Sequence, residues 1–394
     1  MRRLQLAEHS ARAYAPVSPA VADALAGTKA VKVSVDRWGR TILRSSSYVG
    51  VVQVGDVELR VNPKIGVRRL LWLLGDAQSP RGWREDDVVN LAEADDLIST
   101  VAVSFLVAAR RAIAAGVLRG YRVTEEATTI LRGRLREADQ LRGRLGLAVP
   151  LEVRYDDYTV DIPENRLLRF AALLLLSAPG VPASTRAGLR KLLSTLVDVS
   201  PFVPADQSPA TTDNRLNRHY QPALRLSRLV LAGRGIEQPP GLVQASGFLF
   251  DLNRAFQNWL TAAVARALAP VGGRLHDEYR TYLDDDRRIA IRPDLVWVRG
   301  GRPAAVLDAK YKTLTLSKHP RGDVYQMLSY CTALGLPAGH LVYAAGDAEQ
   351  VQHVVRYAGT TIQVWALDLS QPIPLLVAQV GRLADAVMHA PSTS

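Results

Sequence analysis

Two short apolar runs around Gly300-Gly301 constrain the fold of this chain more than any other stretch. Leu295-Val296-Trp297-Val298 precedes the glycines and Ala304-Ala305-Val306-Leu307 follows them. Runs of this length on either side of a Gly-Gly pair predict a β-hairpin. Asp308 and Lys310 end the second run two positions apart, so on a strand they share a face. Asp294 follows Pro293 at the start of the first run, opposite the end of the second. The hairpin therefore gathers two carboxylates and one lysine at one end.

That trio has a chemical use. Paired carboxylates hold a hard cation such as Mg²⁺. Such a cation polarises a phosphoryl oxygen and makes a bound water acidic. A lysine beside it orients the water or neutralises developing charge. The reading is metal-assisted phosphodiester hydrolysis. The alternative is structural: Asp294 ends a turn, while Asp308 and Lys310 form a cross-strand surface pair.

The segment Ala30–Lys64 alternates as strands do. A hairpin is expected at Gly55-Asp56, between Val49–Val54 and Val57–Val61. From Val67 to about Arg119 the pattern is helical, with Asp95-Asp96 as a cap. Arg132, Arg134, Arg136, Arg142 and Arg144 then crowd one short segment. They suit contact with phosphates or with an acidic partner, or they form a solvated face. Asp161 is expected to cap a helix opened by Pro163. Ser200–Asp213 reads as a linker, and Pro239-Pro240 as a boundary.

The last part of the chain predicts a helix over Leu249–Leu268 and strands at Leu275–Leu283, Ile289–Val298 and Ala304–Lys312. A helix over Asp323–Leu334, three further strands and a closing helix at Pro374–His389 follow. The expected fold class is mixed α/β. Its parts are a β-rich module over 1–66, a mostly helical, arginine-rich region over 67–240, and a C-terminal domain over 241–394 with a central mixed sheet flanked by helices.

Charge and cysteine usage narrow the partners. The 394 residues carry a formal net charge of +11, which favours a polyanion, nucleic acid before membrane. The single cysteine, Cys331, permits neither an internal disulfide nor a cysteine-based zinc cluster. No secretory signal is legible near Met1, and no apolar stretch approaches the ~20 residues that cross a bilayer. A cytoplasmic setting without membrane partners is expected.

The order of elements, with P-D…D-x-K on the central strands, resembles the PD-(D/E)XK nuclease superfamily. Gln326 and Tyr330, four apart on the following helix, resemble the Q-x-x-x-Y element of its RecB-like branch. Four stretches tighten the likeness to the McrC family, the nuclease subunit of McrBC-type modification-dependent restriction systems. They are Val49–Lys64, Tyr155–Leu168 with D-I-P-E-N-R, Phe248–Phe256, and R-P-D…L-D-A-K-Y-K with D-V-Y-Q-M-L-S-Y. The resemblance implies a C-terminal domain that cuts DNA with Mg²⁺, or Mn²⁺ in its place. It also implies an N-terminal domain that engages and stimulates a hexameric ring of a McrB-type AAA+ NTPase using GTP or ATP, and self-association through the nuclease domain. Carried over by residue, Asp294 and Asp308 become metal ligands and Lys310 the catalytic lysine. Gln326 and Tyr330 line the site.

One position departs from the family. A glutamate often follows the phenylalanine of the first nuclease helix, and here Gln257 follows Phe256. Glu278 is the candidate to compensate. Two other functions stay open: a DNA-binding regulatory subunit that does not cut, and a RecB-like repair exonuclease. The chain has no G-x-x-x-x-G-K-[ST] loop, so a motor, where one is used, is a separate protein.

Overall fold

The computed structural model describes residues 1–77, 97–144, 149–201, 217–237, 245–314, 321–346 and 350–389. Two compact units emerge. One joins Met1–Leu97 to Ala232–Ser394, and the other is Ile98–Leu231.

The first unit opens with β1 (Arg2–Ala7), β2 (Ala11–Tyr14), α1 (Pro19–Gly27), β3 (Val31–Val35), β4 (Thr41–Ser45), β5 (Tyr48–Val54), β6 (Val57–Asn62) and α2 (Val67–Asp76). β5 and β6 form the hairpin expected at Gly55-Asp56, with Val54 opposite Val57. Gly55 sits at φ 56°, where a residue without Cβ pays no steric cost. β2, β4 and β3 make a separate three-stranded sheet.

The second unit holds α3 (Leu97–Ala112), β7 (Gly120–Thr128), β8 (Arg134–Leu135), α4 (Glu137–Arg144), β9 (Leu151–Thr159), α5 (Pro163–Ser177), α6 (Ala183–Thr195) and α7 (Gln221–Ala232). β7, β9 and β8 form a sheet, so the region expected to be mostly helical is part sheet. Ile162, not Asp161, is the N-cap of α5, and it makes no side-chain cap bond. The Asp161 carboxylate instead binds Arg166 at 2.7 and 2.8 Å and the Ser200 backbone and hydroxyl at 2.8 and 2.7 Å, and it also pairs with Arg122. These partners, Arg166 first, hold it well below the usual carboxylate range.

The first unit resumes with β10 (Arg234–Glu237), β11 (Ala245–Asp251), α8 (Leu252–Leu268), β12 (Arg274–Asp277), β13 (Thr281–Tyr282), β14 (Ala290–Ile291), β15 (Leu295–Arg299), β16 (Arg302–Leu314), α9 (Arg321–Leu334), β17 (Ala338–Gly346), β18 (Gln350–Val354), β19 (Thr361–Ala366) and α10 (Ile373–Met388). The expected helix start at Leu249 is corrected, because Ala245–Asp251 is a strand. It pairs antiparallel with β5 in a sheet ordered β1-β6-β5-β11-β10. Asp251 then caps α8, accepting the Asn253 and Arg254 N–H groups. Because β5 and β11 share one sheet, the divisions expected at 66/67 and 240/241 do not follow the compact units.

A six-stranded mixed sheet, β12-β15-β16-β17-β19-β18, carries the candidate site. β16–β17 and β17–β19 are parallel and the other pairs antiparallel. The expected strand over 275–283 is interrupted. β12 stops at Asp277, and Glu278 turns the chain at φ 47°. On one face Met327, Tyr330 and Cys331 of α9 pack on Val296, Val306, Leu341 and Tyr343. A Cβ on Gly339 would stand 2.4 Å from Met327 Sδ, so that glycine lets α9 settle. On the other face α8 lies against β16, with Phe256 and Tyr311 ring centroids 6.1 Å apart. Trp259 of α8 in turn meets Trp72 of α2 at 5.9 Å.

The cap at Asp95-Asp96, most of the linker over 200–213 and the Pro239-Pro240 boundary lie outside the described residues. No described helix is long and apolar enough to cross a membrane.

Candidate active site

The hairpin expected at Gly300-Gly301 is β15–β16, with Arg299 opposite Arg302 and Leu295 opposite Leu307. Gly300 and Gly301 sit at φ 58° and 77°, the conformation of a two-residue primed turn. Asp294 immediately precedes β15. Its Oδ2 accepts the Ala309 N–H at 2.9 Å, which holds the carboxylate across the strand from Asp308.

Asp308 is 1% exposed and lies mid-sheet, between β15 and β17. Burial first, and the neighbouring Asp294 charge second, push its pKa up to about 7, while Lys310 opposes them. Lys310 Nζ stands 2.5 Å from Asp308 Oδ2, an oxygen that makes no hydrogen bond of good geometry. The Lys310 ammonium is thus the positive charge that stands beside the buried carboxyl.

Lys310 Nζ also donates to Gln326 Oε1 at 3.0 Å, and Gln326 Nε2 donates to the Tyr330 hydroxyl at 2.7 Å. Tyr330 donates to the Arg292 carbonyl at 3.3 Å. Its ring is buried under α9, and its pKa is pushed up to about 12 by burial and then by Asp308 and Asp294. Tyr330 thus packs inward on the sheet and ends the polar chain that starts at Lys310.

The other expected residues stand differently. Glu278 is exposed. Its backbone N–H bonds the Asp294 carbonyl at 2.7 Å, but its carboxylate pairs with Arg292. Gln257 is half-buried on α8, and among the described residues no hydrogen bond ties its side chain to Asp294, Asp308 or Lys310. The arginine segment lies in the other unit. Arg136 is engaged by Glu125 at 3.1 Å and Asp139 at 2.6 Å, while Arg132, Arg134 and Arg142 are exposed. The side chain of Arg144 lies outside what is described.

Two residues at the site went unread in the sequence. Lys312 follows Lys310 by two positions and sets Nζ 2.6 Å from Asp323 at the start of α9. Arg292 stands one residue before Pro293-Asp294. Period-two spacing signalled the first, but nothing local signalled the second. Among the described residues no group of three His, Cys, Asp or Glu gathers at any point. The site is a two-carboxylate site, and Mg²⁺ is commonly held by one or two carboxylates plus water and substrate phosphate.

No curated protein matches the chain. Among solved structures, the McrC-bearing half-complex from a tetradecameric assembly of Thermococcus gammatolerans McrB AAA+ hexamers is similar in fold. It covers 98% of this chain and 100% of that chain at TM-score 0.60 and 17% identity. A cryo-EM structure of the Thermococcus gammatolerans McrBC complex aligns over 68% of this chain and 88% of that chain, at TM-score 0.44 and 18% identity. The family model for a McrBC 5-methylcytosine restriction system component matches residues 43–344. The chain belongs to that family.

Proposed function

We propose that this chain is a metal-dependent endodeoxyribonuclease subunit of PD-(D/E)XK type, acting at Asp294, Asp308 and Lys310 with a McrB-type AAA+ ring. The observation that carries the reading is the convergence of a buried Asp308, a second carboxylate on Asp294 and the Lys310 ammonium at one end of a hairpin. The donor set fits a hard divalent cation, Mg²⁺ or Mn²⁺. An ion held by Asp294 and Asp308 supplies Lewis-acid polarisation of the scissile phosphate.

The protein's own groups do the rest. The Ala309 N–H fixes the Asp294 carboxylate before substrate arrives. Lys310 sets its charge where negative charge grows during attack on phosphorus. Gln326 and Tyr330 hold the lysine by a relay of two hydrogen bonds. Arg292 and Lys312 flank the site as phosphate contacts. Glu278 steadies Arg292 rather than replacing a carboxylate at position 257.

Family membership and the likeness to McrC bound to McrB hexamers support a ring partner. The net charge of +11 suits DNA. The test is cleavage of cytosine-methylated and unmethylated plasmid with Mg²⁺, by this chain alone and with its McrB-type NTPase, using GTP and ATP in turn. Cutting that needs methylation, partner and nucleotide is expected. Cutting from free ends without the partner would make the protein a repair exonuclease. Stimulated nucleotide hydrolysis without cutting would make it a regulatory subunit.

A further inference from the structure

The three-stranded sheet β2-β4-β3 carries a cationic pattern that the candidate active site does not use. Lys32 on β3 lies directly opposite Arg44 on β4. Like charges facing one another across an antiparallel pair destabilise it. Both are exposed, and among the described residues neither has a carboxylate partner. On that outer face Ala11 flanks Arg44, and half-buried Ile42 lies between Ala13 and Ser34. On the opposite face Val31, Leu43 and Ser45 are buried and α1 packs on β3.

The tip of the β3–β4 hairpin adds an aromatic group. Trp38 is 63% exposed. The guanidiniums of Arg37 and Arg40 lie 4.0 and 4.8 Å from its ring centroid. Asp36 rigidifies the tip, accepting the Trp38 and Arg40 N–H groups at 3.0 and 2.9 Å and pairing with Arg40 at 2.7 Å. Asp36 is thereby spent on Arg40, and Arg37, Lys32 and Arg44 keep their charge for a ligand.

An exposed aromatic ring with the unneutralised Arg37, Lys32 and Arg44, beside a sheet face of short side chains around Ile42, is the chemistry that holds single-stranded nucleic acid: bases stack and phosphates pair. We propose that the Trp38 tip and the Lys32–Arg44 face bind a single-stranded stretch of DNA. The choice of DNA rests on the nuclease reading. The site is a binding surface, and its residues belong to no step of cleavage.

The test is fluorescence anisotropy of the full chain with labelled single-stranded and duplex oligonucleotides across a salt series. Trp38→Ala should weaken single-strand binding about tenfold and change duplex binding less. Lys32→Gln with Arg44→Gln should flatten the dependence of log K on log salt by roughly 1.4, about 0.7 for each cation removed. The same double variant should keep or raise Tm, since it relieves a repulsion. A merely structural role predicts the reverse, a lower Tm with the salt slope unchanged. Unchanged affinity and slope in these variants would overturn the proposal, as would equal loss on both DNA forms in Trp38→Ala. Cleavage is scored separately with Lys310→Ala. If that variant cuts normally while the face variants lose binding, the nuclease reading fails and the surface stands.

Discussion

The Tyr311 hydroxyl donates to both carboxylate oxygens of Glu8, at 3.1 and 3.2 Å, across 303 positions of chain. Glu8 is 2% exposed and also accepts the Lys64 N–H at 3.0 Å. The bond ties the segment just after β1 to the residue following Lys310. The bond thus braces the strand that carries the candidate site against the N-terminal segment, within one compact unit.

Tyr311→Phe removes one of the two partners holding the Glu8 charge. Burial raises the Glu8 pKa, and the Lys64 N–H and Tyr311 hydroxyl lower it. A carboxyl whose folded pKa is raised is most favourable below its unfolded value and loses stability as pH climbs towards the folded value. The variant should therefore lose about 1–3 kcal/mol at pH 7.5 and visibly less at pH 4. Urea unfolding at the two pH values checks this, and equal losses would contradict it.

His340 makes the opposite prediction. It is fully buried on β17, among the described residues neither ring nitrogen has a hydrogen-bond partner, and burial pushes its pKa down to about 4. The folded state keeps the neutral ring while the unfolded chain binds a proton from about pH 6.5 downwards. Stability is intact above that pH and falls between it and pH 4, by an amount on the order of 3 kcal/mol in all. His340→Leu should flatten the fall in Tm between pH 7.5 and 5. An identical fall in both proteins would exclude His340 as its source.

Gly50 is where β5 lies too close to β11 for a side chain. It sits at φ 135° on β5 opposite Leu249 of β11, and a Cβ there would stand 2.2 Å from the Phe248 carbonyl oxygen. Gly50→Ala should cost more than about 3 kcal/mol, combining strain with lost strand pairing. Thermal unfolding reads this directly. A shift in Tm of only a degree or two would show that the β5–β11 pairing is looser than drawn.

The geometry of the candidate site was legible because it is local. Period-two spacing of Asp308 and Lys310, a Gly-Gly turn and a four-residue Gln–Tyr interval each fix direction within a few residues. What was missed depends on distant pairing. Phe248-Leu249-Phe250 suits a helix or a strand, and the choice is made by β5, about two hundred residues earlier. β7 and β9 alternate half-buried with exposed positions, but the half-buried ones include Arg122, Thr124 and Asp157, so no apolar alternation announced them. Asp161 sits where a cap belongs, but Ser200 and Arg122 claim its oxygens from 39 positions away. Arg292 meets Glu278 only because β12 and β15 lie side by side.

The most direct test of the central claim is cleavage by Lys310→Ala, assayed with Mg²⁺, methylated plasmid and the NTPase partner beside the unaltered chain. The Lys310 side chain is 20% exposed and pairs with buried Asp308, so the Tm of the variant is measured alongside to separate loss of fold from loss of chemistry. The account predicts that cutting falls by at least about a hundredfold, while DNA binding and stimulation of the partner's nucleotide hydrolysis persist. Cutting at the unaltered rate would show that Asp294, Asp308 and Lys310 are not where DNA is hydrolysed.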